Sequence, residues 1–463
     1  MLKKIRIALA AVFFIGVTLL LAGIGHDWWG WMAKVQFLPS VMRVCASAAV
    51  LNIAVLAGLL LLTLIFGRIY CSVICPLGVM QDVITFLHRG KKFTFHKEHK
   101  VLRYAVWVIF VAAMIAGVQV LVALLAPYSA YGRMIQSIVS PSSWQVPVIA
   151  GVTFAVVAVL AWTFGREWCN SICPVGTTLS FLSRFAMFRP MIDSDRCKKC
   201  RACEKSCKAS CIDVAGGKID YSRCVDCFDC LGSCKFDGLK YGFAWGRKSS
   251  APAKTETGVD AGKRAFIAGA LIAGASTLKA QEMKLDGGLA DVEAKKKPER
   301  KGRLVPFGAK SEKDFYSRCT ACQLCISACP NGVLRPSTDL MHLMQPEMSY
   351  EDGYCRPECT ACSQVCPAGA ILPLTPEEKT AEHIGRATVD LDLCVVNRDG
   401  VSCGNCARHC PVGAIRMVES EGGHKIPTVM EEMCIGCGAC EFLCPSRPYS
   451  AIHVDGLKSH IKD

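Results

Sequence analysis

Long apolar stretches alternate with short polar segments over the first third of the chain. Four of these stretches approach the roughly 20 residues that a helix needs to cross a bilayer. They cover residues 5–25, 42–66, 102–125 and 146–164. Segment 88–103 between them contains six Lys or Arg residues, whereas segments 26–41 and 126–145 contain one each. Because basic loops stay in the cytoplasm, the pattern predicts an α-helical membrane bundle of four transmembrane helices over residues 1–190, with both of its ends on the cytoplasmic side.

The second and fourth apolar stretches are followed by the same motif. Residues 67–78 read GRIYCSVICPLG and residues 165–176 read GREWCNSICPVG. Since proline is favoured in the first turn of a helix, the cysteine before each proline is predicted to lie at a helix N-terminus, where a thiolate is stabilised. The four motif cysteines are Cys71, Cys75, Cys169 and Cys173. The two arginines of the motifs, Arg68 and Arg166, are expected to be anchors at the membrane interface. A role beside a negatively charged centre is the less favoured alternative.

Three interpretations of the motif cysteines remain open. They can be small residues packed at two helix junctions, redox-active thiols, or four ligands that converge on one metal or iron–sulfur centre. Four thiolates are enough to hold such a cluster. Because a doubled Cys-x3-Cys-Pro motif is highly specific, a redox or metal-binding role is favoured over simple packing.

The spacing Cys-x2-Cys-x2-Cys-x3-Cys occurs twice in residues 191–246. It is typical of a bacterial ferredoxin with two 4Fe-4S clusters, in which the fourth cysteine of each run binds the other cluster. The predicted ligand sets are Cys197, Cys200, Cys203 with Cys234, and Cys224, Cys227, Cys230 with Cys207. Zinc is a weaker alternative, because paired zinc ligands do not need the triple spacing. Lys208 and Lys235 replace the proline that usually follows the fourth cysteine, and Cys211 is expected to be a packing residue.

Residues 247–302 form a predicted linker, rich in Ser, Ala, Lys, Thr and Gly at its start. Within the linker, Lys263 and Arg264 precede a weakly apolar run, so segment 263–280 resembles a twin-arginine export signal with lysine in place of the first arginine. An uncleaved segment would be a fifth, short membrane crossing, and the rest of the chain would lie outside the cytoplasm. The alternative is an ordinary short helix, since the run is shorter than a membrane span.

Four further groups of four cysteines lie in residues 303–463, which are predicted to form a four-cluster polyferredoxin domain of α+β ferredoxin-like type. The groups are Cys319, Cys322, Cys325, Cys329; Cys355, Cys359, Cys362, Cys366; Cys394, Cys403, Cys406, Cys410; and Cys434, Cys437, Cys440, Cys444. With the eight cysteines before the linker they make 24 ligands, enough for six 4Fe-4S clusters. Cys45, alone in an apolar stretch, is expected to be a packing residue.

The composition of the chain excludes several classes of protein and of binding partner. The chain has 30 cysteines among 463 residues, 52% hydrophobic residues and a formal net charge of +14. These values exclude a disordered chain, a collagen and a coiled coil, and regular cysteine groups over so long a chain exclude a small disulfide scaffold. The positive charge adjoins the apolar stretches, so membrane orientation explains it and no nucleic-acid partner is expected. Without a Cys-x2-Cys-His or a nucleotide-binding glycine loop, neither haem, flavin nor nucleotide is expected.

Two known families resemble the two parts of the chain. Residues 1–245 resemble the membrane ferredoxin component of periplasmic nitrate reductase systems, the NapH/MauN type, in both Cys-x3-Cys-Pro motifs and the eight-cysteine module after them. Residues 260–455 resemble the exported partner ferredoxin, the NapG/MauM type, in the signal-like segment and the four cysteine groups. The chain is thus similar to a fusion of the two. Similarity to other four-cluster subunits implies that the first C-terminal group shares cysteines with the fourth, and the second with the third.

The resemblance implies an electron-transfer component of a quinol dehydrogenase system in the bacterial inner membrane, not a stand-alone enzyme. Electrons from the quinol pool, or from a cytoplasmic donor, would pass to a separate periplasmic reductase or cytochrome. Residues 191–246 would be cytoplasmic and residues 303–463 periplasmic, so a further redox centre at the Cys-x3-Cys-Pro motifs would connect the two sides. The alternative function is an accessory factor that uses its thiols to reduce or deliver a metal while another respiratory or metal enzyme matures.

Overall fold

A computed structural model describes residues 2–46, 49–88, 93–139, 144–193, 195–245, 293–420 and 423–462. The chain divides into two compact units. The first combines Met1–Ala244 with Lys295–Asp463, and the second is Trp245–Ala294. The predicted export-like segment 263–280 and most of the predicted linker belong to the second unit and lie outside the described residues.

The N-terminal part of the first unit is helical. In chain order its helices are α1 (Leu2–Leu21), α2 (His26–Lys34), α3 (Phe37–Ala46), α4 (Val50–Phe66), α5 (Ile69–Val73), α6 (Pro76–Leu87), α7 (Lys100–Ala116), α8 (Gln119–Leu125), α9 (Pro127–Val139), α10 (Gln145–Phe164) and α11 (Pro174–Ser183), with a π-helical turn at Trp168–Ile172. Helices α1 and α10 are long and apolar enough to cross a membrane, whereas α4 and α6 are apolar but shorter.

Two of the four predicted spanning helices are interrupted. Within stretch 102–125, helix α7 ends before Gly117, whose φ of 76° is a left-handed conformation that glycine accepts without strain. Stretch 42–66 contains the end of α3 and then the 17-residue α4. Among the described residues, two helices rather than the predicted four therefore reach spanning length.

The helices follow the same order in two halves, α1–α6 and α7–α11. Each half has a long helix, two short helices, a second long helix, a helical turn with the cysteine motif, and a helix that begins at proline. In the first half, the turn between α2 and α3 reaches the motif. The Gln36 side chain donates to the Ile74 carbonyl oxygen at 3.3 Å and accepts from the Tyr70 hydroxyl at 3.0 Å. The short sequence repeat is therefore part of a longer structural repeat.

The first ferredoxin region follows α11. Strand β1 (Phe188–Ile192) and strand β4 (Leu239–Phe243) pair antiparallel, with Phe188 opposite Phe243. Between them lie α12 (Ala202–Lys205), the antiparallel pair β2 (Ile212–Asp213) and β3 (Lys218–Ile219), and α13 (Asp229–Ser233). This is the predicted α+β arrangement, in which short helices follow the cysteine runs.

The C-terminal ferredoxin region repeats this design with more elements. They are α14 (Glu312–Arg318), α15 (Leu324–Ser327), β5 (Leu334–Pro336), β6 (Pro346–Met348), α16 (Ala361–Val365), α17 (Pro376–Thr380), β7 (Glu382–Val389), α18 (Val395–Asp399), α19 (Asn405–Arg408), β8 (Ile415–Glu419), β9 (Lys425–Val429), α20 (Ala439–Leu443) and β10 (Ile452–Lys462). The antiparallel pairs are β5 with β6, β8 with β9, and β7 with β10. Because β10 pairs with β7, the end of the chain returns to the middle of the region.

Helix α1 contacts both ferredoxin regions, one at each end. Near its start, Lys3 forms an ion pair of 2.7 Å with Asp229 of the first region. Just past its end, Gly23 lies so close to the Ser327 carbonyl oxygen that a Cβ would approach it to 3.1 Å. A helix of 20 residues is about 30 Å long. The two regions are thus bound to opposite ends of the same helix.

Polar contacts from three other helices also bind the C-terminal region. The Arg43 guanidinium on α3 donates to the Cys366 carbonyl oxygen at 2.7 Å. The Gln119 amide on α8 donates to the Ser317 carbonyl oxygen, and the Ser129 hydroxyl on α9 donates to the Thr320 carbonyl oxygen at 2.6 Å. The first C-terminal cysteine group therefore lies directly against the helical part.

Candidate functional site

The cysteines of the first ferredoxin region line two separate cavities. One is lined by Cys197, Cys200, Cys203 and Cys234, and the other by Cys207, Cys224, Cys227 and Cys230. These are the two predicted sets. Apolar side chains such as Ile192 and Leu239 complete the wall of the first cavity, and Ile212 and Val225 that of the second. The fourth cysteine of each run thus joins the other set, as the spacing predicts.

Left-handed backbone positions bend the chain around these cavities. In the first run, Lys199 and Arg201 stand on either side of Cys200 with φ of 51° and 59°. In the last C-terminal run the equivalent residues are Gly436 and Gly438, for which a positive φ costs little. The non-glycine residues pay for the same geometry with backbone strain. The turn that brings three cysteines together is therefore present even where its left-handed positions are not glycine.

The third C-terminal group shares cysteines with the fourth. One cavity is lined by Cys394, Cys403, Cys406 and Cys444, and another by Cys410, Cys434, Cys437 and Cys440. The expectation that the third group pairs with the second, and the fourth with the first, is wrong. Helices α19 and α20, which follow the cysteine runs of these two groups, pack against each other and bring the sets together.

The first and second C-terminal groups pair in the same way. Burial raises the pKa of the Cys325 thiol, and neighbouring thiols that include Cys366 raise it further. Burial also raises the pKa of the Cys362 thiol, and neighbouring thiols that include Cys329 add to this effect. The two sets are Cys319, Cys322, Cys325 with Cys366, and Cys355, Cys359, Cys362 with Cys329. Helices α15 and α16 pack together here, so each group pairs with its neighbour in the chain.

The cysteine sets suit polynuclear clusters better than single ions. Among the described residues, no group of three or more His, Cys, Asp or Glu side chains is spaced to hold one metal ion. A tetrahedral zinc site holds each sulfur about 2.3 Å from the metal, so its sulfurs lie within about 4 Å of one another. In a 4Fe-4S cube each thiolate binds a different iron atom, which requires a wider set. The sets therefore fit 4Fe-4S clusters, which exchange single electrons when bound.

A buried lysine contacts one set, and sequence analysis did not identify it. Lys379 is only 2% exposed, and its ammonium donates to Cys355 Sγ at 3.2 Å. It also donates to the carbonyl oxygens of Arg356 and Cys359 at 2.6 and 2.5 Å. Helix α17 places the lysine there, and Thr375 caps the start of that helix. The cation thus bonds to a cluster-set thiol and to two neutral oxygens, with no ion-pair partner among the described carboxylates.

Cys211 belongs to the surroundings of the second set of the first region. Its Sγ lies 3.5 Å from Cys207 Sγ, and the residue is buried. Cys211 therefore packs, as expected, but it packs against a predicted ligand. Hydrogen bonds to ligand sulfurs are one of the factors that set cluster potentials.

The two Cys-x3-Cys-Pro motifs meet inside the helical part. All four motif cysteines are buried, with at most 4% of each residue exposed. Cys75 and Cys173 immediately precede α6 and α11, as the prolines predict. Burial raises the pKa of both thiols, and charge on Cys169 raises it further in each case. The thiols of the two motifs therefore lie near one another. Because the pKa is raised, the expectation that the helix N-termini favour thiolates at these positions is wrong for the free thiols.

The motif arginines are not interface anchors, because both are fully buried. Arg68 donates from Nη2 to the Cys169 carbonyl oxygen at 2.8 Å. Arg166 donates from Nη1 to the Cys71 carbonyl oxygen at 2.7 Å. Each arginine therefore bonds to the motif of the other half. Their identical position in both copies of the repeat was the sequence signal for this reciprocal contact.

A buried carboxylate on α6 connects the motifs with the first ferredoxin region. Asp82 forms ion pairs with Arg6 and Arg166 at 2.7 Å each and with Lys208 at 3.5 Å. Burial would raise the pKa of Asp82, but the neighbouring cations, Arg166 first, bring it well below its usual value. Lys208 also pairs with Asp229 at 3.0 Å. The lysine that replaces the usual proline therefore joins the ferredoxin region to the helices.

Three known protein families match four segments of the chain. A family described as a 4Fe-4S binding domain matches residues 48–94 and 146–191, which contain the two Cys-x3-Cys-Pro motifs. A 4Fe-4S dicluster domain matches residues 401–447, and a second type of 4Fe-4S binding domain matches residues 313–335. No solved structure is similar to the chain. Iron–sulfur binding is therefore supported in both parts of the first unit.

Several curated relatives are ferredoxin-type proteins. The methylamine utilization ferredoxin-type protein MauM of Methylobacillus flagellatus is 35% identical over 149 residues, 30% of this chain and 63% of the relative. MauM of Methylorubrum extorquens is 35% identical over 164 residues, 34% of this chain and 73% of the relative. The ferredoxin-type protein NapG of Escherichia coli is 36% identical over 154 residues, 31% of this chain and 66% of the relative. The chain spans slightly less than two thirds of the first of these proteins.

Proposed function

Because the chain belongs to the family of ferredoxin-type iron–sulfur proteins that includes MauM and NapG, we propose that it is a membrane-bound electron-transfer protein. In this proposal it passes electrons from the quinol pool, or from a cytoplasmic donor, to a separate periplasmic redox enzyme or cytochrome. The observation that carries the proposal is the contact of two ferredoxin regions with opposite ends of α1. A conduit across a membrane needs redox centres on both sides of one helical bundle.

Six cysteine sets support the proposed cluster content. Two sets lie in the first ferredoxin region and four in the C-terminal region, and each contains four thiols. Each set supplies the ligands of one 4Fe-4S cluster. Structural stabilisation alone does not require so many clusters in one chain. We therefore propose six 4Fe-4S clusters that serve electron transfer.

Exposed apolar side chains support a membrane location. Large aliphatic residues on the outer faces of α1 and α10 are about half-exposed, and contiguous apolar surface is unfavourable in water. They include Ile5, Leu9, Val12 and Ile15 on α1 and Val148, Val152 and Val159 on α10. Lipid would cover these faces. In this proposal the basic segment 88–103 stays on the cytoplasmic side, the first ferredoxin region is cytoplasmic and the C-terminal region is periplasmic.

Burial of the motif cysteines disfavours the alternative role as an accessory factor. Thiol exchange with a partner requires a sulfur that the partner can reach. The four motif cysteines are at most 4% exposed. Electron transfer does not require such access, so the geometry favours the conduit.

Menaquinol is expected to reduce the clusters of the oxidised protein in lipid nanodiscs, since the proposal makes quinol the donor. The measurement is anaerobic EPR, with dithionite in a parallel sample to give the full cluster signal. Oxidised menaquinone in place of menaquinol is the control and should produce no reduction. Reduction by dithionite alone would contradict the quinol part of the proposal and favour a cytoplasmic donor.

A further inference from the structure

The four motif cysteines form a ligand set that the six ferredoxin sets do not use. We propose that Cys71, Cys75, Cys169 and Cys173 bind one additional 4Fe-4S cluster, held jointly by the two halves of the helical repeat. Each half supplies two thiolates and a cluster of this type takes four, so neither half can hold it alone. The role of this cluster as a link between the ferredoxin regions rests on the proposed function, whereas its presence does not.

The backbone around the four cysteines is built to fix the two motifs against each other. Arg68 and Arg166 each bond to the carbonyl oxygen of the first cysteine in the opposite motif, at 2.8 and 2.7 Å. Gly78 and Gly176 leave room for these contacts. A Cβ on Gly78 would collide with the Cys71 carbonyl oxygen and lie 2.8 Å from Arg166 Nη1. A Cβ on Gly176 would meet the equivalent atoms of the other half, so both glycines are explained by this packing.

The buried Arg68 guanidinium is placed to stabilise a thiolate that is bound to a cluster. The Arg68 guanidinium is fully buried and donates to the Asn170 side chain oxygen and the Ser222 carbonyl oxygen at 2.9 Å each. Asp226 accepts from the backbone amide of Arg68, and its charge interacts with the guanidinium. Arg68 Nη2 also lies 3.9 Å from Cys71 Sγ. Because charge-assisted contacts are stronger than neutral ones, the guanidinium would stabilise a metal-bound thiolate at Cys71.

The sulfurs also have the surroundings of cluster ligands. Gln81 donates from Nε2 to Cys169 Sγ at 3.3 Å, and the Gly176 amide donates to Cys173 Sγ at 3.4 Å. Arg166 Nη1 lies 4.0 Å from Cys169 Sγ. Hydrogen bonds to ligand sulfurs and burial are the means by which proteins set cluster potentials. Among the described residues, no group of three or more His, Cys, Asp or Glu side chains is spaced for a single ion, so a polynuclear cluster is favoured over a single zinc ion here.

The proposed cluster would be next to the second set of the first ferredoxin region. The Arg166 backbone amide donates to the Lys208 carbonyl oxygen at 2.9 Å, and the Asn170 amide donates to the Ala209 carbonyl oxygen at 3.3 Å. Lys208 directly follows Cys207, a member of that set. These hydrogen bonds connect the segment that contains Cys169 with the segment that contains Cys207. The additional cluster would extend the row of two clusters proposed for the first ferredoxin region toward the helical part.

Iron and acid-labile sulfide per chain, measured after anaerobic purification, test the proposal. The wild type is expected to hold about 28 iron atoms, and the Cys75→Ser/Cys173→Ser variant about 24, since one cube contains four. Cys45→Ser is the matched control, because Cys45 is exposed, rather than packed as the sequence predicts, and belongs to no ligand set. In Mössbauer spectra of the double variant, the 4Fe-4S area should fall by about one seventh. The Cys45→Ser variant should have the same iron content and the same 4Fe-4S area as the wild type.

Equal iron content in the wild type and the double variant would overturn the proposal, and so would loss of zinc or copper instead of iron. If the double variant does not accumulate, the wild type decides: about 24 iron atoms overturn the proposal and about 28 support it. Menaquinol reduction is a separate measurement. If menaquinol reduces neither protein while four iron atoms distinguish them, the proposed function fails and the cluster assignment stands. If the variant transfers electrons between its ferredoxin regions at the wild-type rate, the linking role is wrong.

Discussion

Replacement of Lys379 with methionine is expected to lower the reduction potential of the cluster held by Cys355, Cys359, Cys362 and Cys329 by about 60–130 mV. A hydrogen bond to a charged group contributes about 1.5–3 kcal/mol, and about 59 mV corresponds to 1.4 kcal/mol for one electron. The ammonium lies 3.2 Å from Cys355 Sγ. Reduction adds negative charge to the cluster, so removal of the cation disfavours the reduced state. Anaerobic potentiometric titration followed by EPR measures the shift.

Lys313→Met is the control for this experiment, because Lys313 is an exposed lysine of the same ferredoxin region. It should leave all cluster potentials unchanged. An unchanged potential in Lys379→Met, with intact clusters, would show that the buried ammonium only stabilises the loop through the Arg356 and Cys359 carbonyl oxygens. A lower reduction potential in only one of the clusters would agree with the direct contact between Lys379 and Cys355.

Replacement of Asp82 with asparagine is expected to destabilise the helical part by about 3–5 kcal/mol, the usual cost of removing one partner of a buried ion pair. The variant would leave the charges of Arg6, Arg166 and Lys208 around a neutral side chain. The measurement is the unfolding temperature of the purified protein in detergent, followed by far-UV circular dichroism. Asp195→Asn, at an exposed position, is the matched control. Equal unfolding temperatures of the two variants would contradict the prediction.

The pH dependence of this difference follows from the lowered pKa of Asp82. A carboxyl group whose pKa is lower in the folded state stabilises the protein above its unfolded pKa, which is about 4. The stabilisation is lost only as the pH falls through the lower pKa of the folded state. The wild type should therefore keep its advantage over Asp82→Asn at about pH 5 as well as at about pH 7.

Local spacing was sufficient to predict the ligand sets of the first ferredoxin region. Three of the four ligands come from one short turn with left-handed positions such as Lys199 and Arg201, so their spacing in sequence determines their spacing in space. The partner of each C-terminal group could not be predicted in this way. The groups have similar internal spacing, and the pairing depends on which short helices pack, here α15 with α16 and α19 with α20. Resemblance to other subunits led to the wrong pairs.

Contacts between distant parts of the chain account for what sequence analysis missed. Arg68 and Arg166 stand at helix ends, where arginine is commonly exposed, yet carbonyl oxygens of the opposite motif bury them. Lys379 follows the last cysteine of its group and carries no motif of its own, but α17 folds back onto that group. Asp82 is an isolated acid in an apolar helix, and its three cationic partners come from three separate segments. Apart from the repeated position of Arg68 and Arg166 in the two motifs, no spacing in the sequence indicates these pairings.

Electron transfer across sealed liposomes tests the central claim most directly, because a conduit must move electrons between ferredoxin regions bound to opposite ends of α1. The protein is reconstituted with oxidised cytochrome c trapped inside, and dithionite, which does not cross the bilayer, is added outside. The proposed function predicts that cytochrome c is reduced in liposomes with the protein and stays oxidised in liposomes without it. Cytochrome c that stays oxidised in both, while the clusters facing dithionite become reduced, would contradict the claim.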